Sequence, residues 1–337
     1  MDNKMDNGKV KEAILKRSIF KTISYMKPET AESLKTGNDA AALKLSEDKV
    51  TVISTNPVTY TFNSMEKLAI ASAANNVAVR GAKPVSVEIC ILLPERYKET
   101  ALKKMIENLH IACSEMNIYI SGGHTEVTPA VISPVISVTA VGMADSRKVL
   151  SVSDIKPGMD IVICGYIGLA GSAIILDKKR EDLRKRFCDS FLDGMNDFEN
   201  CYSITEEAAV AVNSGVTAMH DVSRGGIMKA LWEMAETADV GIEVNLDNIP
   251  IRQQTIELCE YYNLNPYEML STGAVIMVTE DGAGLVSVLS HRGYVAEVAG
   301  QTTDSNDRVF IRNEERAFIT PPKGDEIYKI FQKGNEI

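Results

Sequence analysis

Four short segments of the chain combine small residues with side chains that can do chemistry. Each follows or separates predicted strands, and binding residues are often found on loops in such positions. Together they offer carboxylates, hydroxyls, imidazoles and one guanidinium, which suits the binding of anions and of metal-bound phosphates. The four segments are residues 37–41 (GNDAA), 54–59 (STNPVT), 121–126 (SGGHTE) and 219–226 (MHDVSRGG).

The first two segments have ordinary structural explanations beside the chemical ones. Asp39, in a tight turn next to small alanines, suits Mg²⁺, which prefers hard oxygen ligands and usually bridges phosphates. An Asx-turn, in which Asp39 only caps backbone N–H groups, is the alternative, and the spacing alone favours it. Thr55 and Asn56 are positioned to contact a ligand at the end of a strand. An ordinary strand exit before proline is the preferred reading of that segment.

The third segment pairs two glycines with three functional side chains. Gly122 and Gly123 would let backbone N–H groups approach an anion closely. His124, Thr125 and Glu126 then supply a possible base, a hydroxyl and a carboxylate. The alternative is a histidine that is hydrogen-bonded within the fold and has no catalytic role.

The fourth segment predicts an anion site at the start of a helix. Two glycines and Arg224 precede an apolar helical pattern, and glycines at a helix N-terminus beside an arginine bind anions. Asp221 is placed to hold a metal ion or to orient His220. The alternative is a capped helix start, with Asp221 or Ser223 as the N-cap residue.

The elements that must position these segments alternate between strands and helices. A continuous apolar stripe from Leu102 to Met116 predicts an amphipathic helix over residues 97–116. A polar stretch at residues 149–158 marks a domain boundary. The mixture in both halves predicts two α/β or α+β domains. The other predicted strands are 49–55, 84–93, 133–142, 159–164, 273–278 and 295–298, and the other predicted helices are 66–80, 205–213, 227–237 and 283–292.

Composition excludes several classes of protein. The chain has 337 residues and a formal charge of -10, so its bulk field does not favour nucleic acid. No stretch is apolar enough for a membrane helix, and the polar N-terminus lacks the apolar region of a signal peptide, which predicts a cytoplasmic protein. None of the six cysteines forms a C-x-x-C pair. Cys90, Cys113 and Cys164 lie in apolar surroundings and are expected in the core.

Seven motifs in order resemble those of the HypE-like, AIR-synthetase-related family. The resemblance runs from about Gly37 to about Val278 and so covers both predicted domains. Each motif alone is weak evidence, but seven in the right order are specific. They are GNDAA, STNPVT, NNVAVRGAKP, ILLPE, SGGHTEVTP, MHDVSRGG and STGA.

The resemblance implies a two-domain α/β (α+β) fold that dimerises through the sheet of its N-terminal domain. A helical lead-in at residues 1–36 would precede domains at 37–150 and 151–322, and a tail would follow at 323–337. Members of the superfamily bind ATP through Mg²⁺ and transfer its phosphoryl group, in many cases to an amide or carbonyl oxygen. The implied partners are a second copy of the chain and a small-molecule or protein acceptor. A link to hydrogenase maturation is also implied.

The family motifs transfer to this chain position by position. Asp39 matches the family's GDDAA-type aspartate, and His124 stands where HypE-like branches have Gly-His-Thr. The D-x-x-R-G-G motif is matched in full. The resemblance therefore implies catalytic roles for His124, Asp221 and Arg224, Mg²⁺ binding by Asp39, Glu126 and Asp221, and nucleotide binding by Asp39, Thr55, Asn56, Asn76, Gly122, Gly123, Thr125, Gly225 and Gly226.

Two departures from the family pattern bear on catalysis. Asn56 and Asn76 replace the usual aspartates, and a neutral amide is a weaker Mg²⁺ ligand than a carboxylate. The last cysteine is Cys259, so we expect no self-cyanation of a C-terminal cysteine as in the HypE branch. A catalytically degenerate, homodimeric nucleotide- or small-molecule-binding module is therefore the alternative to an ATP-dependent phosphoryl-transfer enzyme.

Overall fold

The chain divides into two units. A computed structural model describes residues 8–9, 15–23, 49–145, 149–320 and 324–331. The first unit is built from residues 1–77 and 82–147, and the second from residues 78–81 and 148–336. Asp39, most of the predicted helical lead-in and the last residues of the tail lie outside the described residues. Within the lead-in, Leu15–Phe20 forms a short π-helix.

The first unit contains a five-stranded sheet in the order β1-β4-β3-β5-β2. Strands β3 and β4 run parallel, and the other neighbours are antiparallel. The strands are β1 (Gly8–Lys9), β2 (Lys49–Val58), β3 (Lys83–Leu93), β4 (Tyr119–Val127) and β5 (Val135–Asp145), and the helices are α1 (Met65–Ala78) and α2 (Glu99–Glu115).

Helix α2 confirms the amphipathic pattern at residues 97–116. Its buried residues are the predicted apolar stripe from Leu102 to Cys113, whereas Met116 is the half-buried C-cap residue. Burial of such a stripe stabilises a helix more than its intrinsic propensity does. Burial also raises the pKa of the Cys113 thiol well above its ordinary value, as expected for a cysteine that serves as a small apolar core residue.

The second unit contains a seven-stranded sheet in the order β12-β11-β8-β10-β6-β9-β7. Only the β8–β11 pair is parallel. The strands are β6 (Asp160–Cys164), β7 (Ala218–Val222), β8 (Gly241–Asn245), β9 (Ala274–Thr279), β10 (Ala296–Thr303), β11 (Arg308–Arg312) and β12 (Glu315–Phe318). The helices are α3 (Leu169–Leu183), α4 (Asp189–Asp193), α5 (Thr205–Asn213), α6 (Gly226–Ala238), α7 (Gln253–Tyr262), α8 (Gly282–His291) and α9 (Tyr328–Phe331).

The centre of this sheet is buried on both faces. In β6, Ile161 and Ile163 belong to one apolar cluster, and Val162 and Cys164 belong to another. Helix α6 packs into the first cluster, and α5 and α8 pack into the second. Side chains alternate along a strand, so burial on both faces requires a continuous apolar run. The run at residues 159–164 is such a sequence, and its prediction as a buried strand is confirmed.

Some sequence predictions need correction. Cys90 is half-buried on one face of the first sheet, where it pairs with His124 and Ser137, and it is not a core residue. Strand β4 was not predicted, since its two glycines lower the strand propensity of the segment. Residues 54–58 lie within β2 and residues 121–126 lie within β4, so neither segment forms the expected loop.

None of the helices within the described ranges is both long and apolar enough to cross the hydrocarbon core of a bilayer.

We predict that Thr302 is a stability determinant of the second unit. Its buried hydroxyl accepts the N–H of Met159 at 2.9 Å and donates to the carbonyl of Lys156 at 2.7 Å. Replacement with valine keeps the shape but leaves these buried groups without their partner, which costs about 1–3 kcal/mol. Thr302→Val should lower the denaturant midpoint of unfolding accordingly.

The adjacent threonine supplies the control. The Thr303 hydroxyl, at the end of β10, shares an exposed hydrogen bond with the Ser305 hydroxyl, so Thr303→Val should change stability by no more than about 0.5 kcal/mol. Equal effects of the two substitutions would show that the buried hydrogen bonds of Thr302 contribute nothing specific.

Candidate functional site

The first sheet has two faces of different character, which we call the open face and the helix face. The open face carries half-buried or exposed side chains of alternate residues, among them Thr55 and His124. The helix face carries buried ones, such as Ile91 and Val138. Because side chains alternate along each strand, neighbours in sequence lie on opposite faces.

Four predicted site residues share the open face. Gly122, His124 and Glu126 alternate along β4, and Thr55 lies across the sheet on β2. The Nε2 atom of His124 lies 3.3 Å from the carboxylate of Glu126. The register places Cys90 of β3 beside His124. The open face therefore holds an imidazole, a carboxylate and a thiol on adjacent strands.

The two asparagines lie on the helix side of the sheet. Asn56 is half-buried and pairs with Val138, which is fully buried. The side-chain amide of Asn76, on α1, donates a hydrogen bond to the hydroxyl of Ser54 at 3.1 Å. Thr125 is buried and also points away from the open face. The predicted residues of the first unit are therefore split between the two faces of one sheet.

Gly123 has a packing role that the sequence analysis did not foresee. Its φ is +151°, and a Cβ atom there would lie 2.0 Å from the carbonyl oxygen of Ile89 on β3. Only glycine permits such a close approach of two strands at this φ. The packing of β4 against β3 is sufficient to explain the second glycine of the Gly-Gly pair.

In the second unit, a turn at residues 223–226 leads from β7 into the first residue of α6. Gly225 and Gly226 both have positive φ, which glycine adopts without steric penalty. A Cβ atom on residue 226 would lie 2.4 Å from the carbonyl oxygen of Tyr267 and 2.8 Å from that of Met269. The turn at residues 223–226 therefore lies directly against the loop at residues 267–270.

Asp221 stands at the end of β7, just before this turn. Burial raises the pKa of its carboxyl, while the neighbouring His220 and a hydrogen bond with Ser223 act in the opposite direction. A buried carboxyl with a raised pKa is a common feature of functional sites. It is the strongest chemical signal in the D-x-x-R-G-G segment.

His220 is oriented by the backbone. Its Nδ1–H donates to the carbonyl oxygen of Asp221 at 2.7 Å. Its Nε2 lies 4.0 Å from the carboxylate of Glu233, which also lies 3.6 Å from the ammonium of Lys229. The sequence suggested that Asp221 could orient His220, and the orienting contact here is the backbone carbonyl of Asp221.

The start of α6 already holds an anionic group from the same chain. The N–H of Gly225 donates to the carboxylate of Asp325 at 2.6 Å. The family resemblance placed residues 323–337 in a tail, and no motif indicated a role for Asp325. Its only local signal is Gly324-Asp325 ahead of the apolar pair Ile327 and Ile330, which predicts a docked terminal segment but not its contact.

Metal ligands do not cluster within the described ranges. Among these residues, no three His, Cys, Asp or Glu side chains are grouped closely enough to hold a metal ion. Glu126 lies in the first unit and Asp221 in the second, and Asp39 lies outside the described residues. Mg²⁺ is usually held by one or two carboxylates together with substrate phosphates, so the donors fit Mg²⁺ only as part of a nucleotide complex.

Two family models match most of the chain. The model of the N-terminal domain of AIR synthase related proteins matches residues 37–144, and that of the C-terminal domain matches residues 156–313. The chain therefore belongs to the AIR synthase related protein family, as its seven motifs indicated.

The chain also resembles curated proteins over most of their length. It is 26% identical to a putative hydrogenase expression/formation protein of Methanocaldococcus jannaschii over 332 residues, which cover 96% of this chain and 97% of that protein. It is 24% identical to the carbamoyl dehydratase HypE of Rhizobium leguminosarum bv. viciae, with 83% of this chain and 80% of that protein covered. The chain is thus a HypE-like member of the family.

The fold is shared with a solved maturation protein. The crystal structure of hydrogenase maturation protein HypE in complex with ATP matches with a TM-score of 0.79 at 20% identity, over 94% of this chain and 95% of that chain. The two-domain α/β fold expected from the resemblance is confirmed.

We predict that the Asp221 carboxylate lowers the stability of the fold near neutral pH. The pKa of this carboxyl is higher in the folded state than in the unfolded state. Its contribution to stability is therefore complete below the ordinary aspartate pKa of about 3.9, and it is lost as the pH rises through the raised value. Asp221→Asn should therefore raise stability near neutral pH. The gain should shrink as the pH falls.

Thermal unfolding across the acidic and neutral range measures this effect. Asp304→Asn, which removes a charge from an exposed turn, is the control and should leave the profile unchanged. A loss of stability in Asp221→Asn near neutral pH would show that the hydrogen bonds of the carboxylate outweigh its burial.

Proposed function

We propose that this HypE-like chain binds ATP and transfers its terminal phosphoryl group to an oxygen atom of an acceptor. An acceptor oxygen would attack the γ-phosphorus, and ADP would leave with the electron pair of the broken P–O bond. The observation that carries the proposal is the half-buried Asp221 carboxyl, whose pKa is raised, three residues before the half-buried Arg224 in an intact D-x-x-R-G-G motif. The similarity to relatives named for hydrogenase formation extends the proposal to maturation of a metal centre.

The roles of the residues follow from their chemistry. Arg224 offers a planar guanidinium that can bind two phosphate oxygens at once and stabilise the charge of the transition state. Asp221, partly desolvated, can accept the proton of the acceptor or bind Mg²⁺. Bound Mg²⁺ would neutralise phosphate charge, and Asp39 and Glu126 are the other proposed ligands. His124 is proposed to contact phosphate or to act as an acid or base.

We also propose that the chain acts as a homodimer in the cytoplasm. The open face of the first sheet supports this, because Ile53 is 63% exposed and lies two residues before Thr55 on the same face of β2. A sheet face that mixes exposed apolar and small polar side chains suits contact with a second copy of itself.

One observation favours a binding module with little catalysis. The side-chain amide of Asn76 donates to Ser54, and an ionised carboxylate has no proton to donate. Asn76 therefore has a structural contact that the family's usual aspartate could form only with the hydroxyl as donor. A site with asparagine in place of the usual aspartate has less negative charge to bind Mg²⁺, and it is compatible with nucleotide binding.

We predict that Mg-ATP stabilises the protein through Arg224. At a hundredfold excess over the dissociation constant, binding adds about 2.7 kcal/mol to the free energy of unfolding. A thermal-shift titration with ATP, with and without Mg²⁺, should show a magnesium-dependent rise in Tm. Arg224→Gln should greatly reduce this rise. Lys229→Gln, one turn further along the helix and paired with Glu233, should preserve it. Absence of any shift at millimolar ATP would contradict the proposed function.

The two asparagines separate the enzyme from the binding module. If the chain is an enzyme, single-turnover ATP cleavage by the parent protein is measurable, and Asn56→Asp and Asn76→Asp change its rate without creating it. If cleavage is absent in the parent and appears in either variant, the asparagines have disabled a nucleotide site. Such a gain would support the binding module and contradict phosphoryl transfer by the natural sequence.

A further inference from the structure

The C-terminal segment at residues 324–331, which we call the C-terminal strap, is packed into the second unit. Asp325 and Glu326 are only 7% and 6% exposed, and Ile327 and Ile330 are buried beside them. Burying two adjacent carboxylates is unfavourable unless their oxygens receive hydrogen bonds. The partners of these oxygens therefore explain why the strap has this position.

The Asp325 carboxylate joins three pieces of backbone. One oxygen accepts the N–H of Gly225 at 2.6 Å, and the other accepts those of Leu270 at 3.2 Å and Ile327 at 2.9 Å. The turn and the loop are also joined directly, because the N–H of Ser271 donates to the carbonyl of Ser223 at 3.2 Å. One side chain thus connects the turn before α6, the loop at residues 267–270 and the strap.

Arg224 lies within the electrostatic range of this carboxylate. Burial raises the pKa of Asp325, while its three backbone hydrogen bonds and the positive charge of Arg224 act in the opposite direction. Arg224 precedes Gly225, whose N–H the carboxylate holds, so a shift of this backbone would displace the guanidinium. The N–H of Gly225 is also occupied by an internal acceptor, so a ligand anion would be bound by the Arg224 side chain.

We propose that Asp325 is a positioning residue that holds the turn at residues 223–226 against the loop at residues 267–270, and thereby sets the place of the Arg224 guanidinium. Only the test of this inference by Mg-ATP binding rests on the proposed function. It gives the C-terminal strap, which is distant in sequence from Arg224, an indirect role in binding the anionic part of the ligand.

Glu326 provides a matched control within the same strap. Its carboxylate accepts the N–H of Asn265 at 3.0 Å and lies 2.6 Å from the ammonium of Lys329. It is as buried as Asp325 and fastens the strap close to the same loop, but these partners lie outside the turn at residues 223–226. Glu326→Gln should therefore loosen the strap without moving Arg224.

The test compares Asp325→Asn and Glu326→Gln in the full-length chain. Both variants should lower Tm. In Asp325→Asn, an amide N–H would face the N–H of Gly225, so that hydrogen bond is lost. Well below both melting temperatures, the affinity for Mg-ATP should fall about tenfold or more in Asp325→Asn and stay within about twofold of the parent in Glu326→Gln.

A second readout does not need the nucleotide. Modification of Arg224 by phenylglyoxal, followed peptide by peptide with mass spectrometry, should be faster in Asp325→Asn than in the parent and unchanged in Glu326→Gln. Asp325→Ser, which leaves room for a bridging water, replaces Asp325→Asn if that variant does not fold.

The outcomes separate this inference from the proposed function. If the parent does not bind Mg-ATP but Arg224 reactivity still depends on Asp325, the proposed function fails and the positioning role stands. Unchanged Arg224 reactivity in a folded Asp325 variant overturns the positioning role. The positioning role is also overturned if the effects of both substitutions on Mg-ATP affinity and Arg224 reactivity merely follow their loss of Tm, because the strap would then have a purely structural role.

Discussion

The contact between the turn at residues 223–226 and the loop at residues 267–270 is the constraint on which the candidate site of the second unit depends. The backbones approach so closely that a Cβ atom at residue 226 would lie 2.4 Å from the carbonyl oxygen of Tyr267. This distance requires glycine, and the positive φ of Gly225 and Gly226 bends the chain sharply into α6. The contact thus decides where His220, Asp221 and Arg224 stand on either side of the bend.

Two aspartates near this bend differ in the hydrogen bonds that they receive, although burial raises the pKa of both carboxyls. Asp325 is surrounded by three backbone N–H donors, and it acts as an internal anion at the start of α6. Asp221 is half-buried, and the influences that oppose the rise of its pKa include the neighbouring His220 and a hydrogen bond with Ser223. A carboxyl whose desolvation is not fully offset reduces stability, which is a typical trade-off at a site kept for function.

The sheet of the first unit organises its candidate residues by a simpler rule. Strand geometry sends Thr55 to the open face and Asn56 to the helix side, although the two are adjacent in sequence. The same rule separates His124 from Thr125. Adjacent residues of one family motif therefore lie in two different environments, and a given ligand can contact only one of the two faces of the sheet.

Local patterns in the sequence determined the elements and the family. The stripe of α2 and the apolar run of β6 depend on residues close together in the chain, so periodicity and composition suffice to predict them. The seven ordered motifs indicated the family by resemblance. Tertiary structure alone decided that Gly123 is required by Ile89 and that Asp325 caps Gly225 from a hundred residues away. It also decided which face carries each polar side chain. The reason is that close backbone approach and the partners of buried charges depend on contacts between distant segments, and no local pattern encodes those contacts.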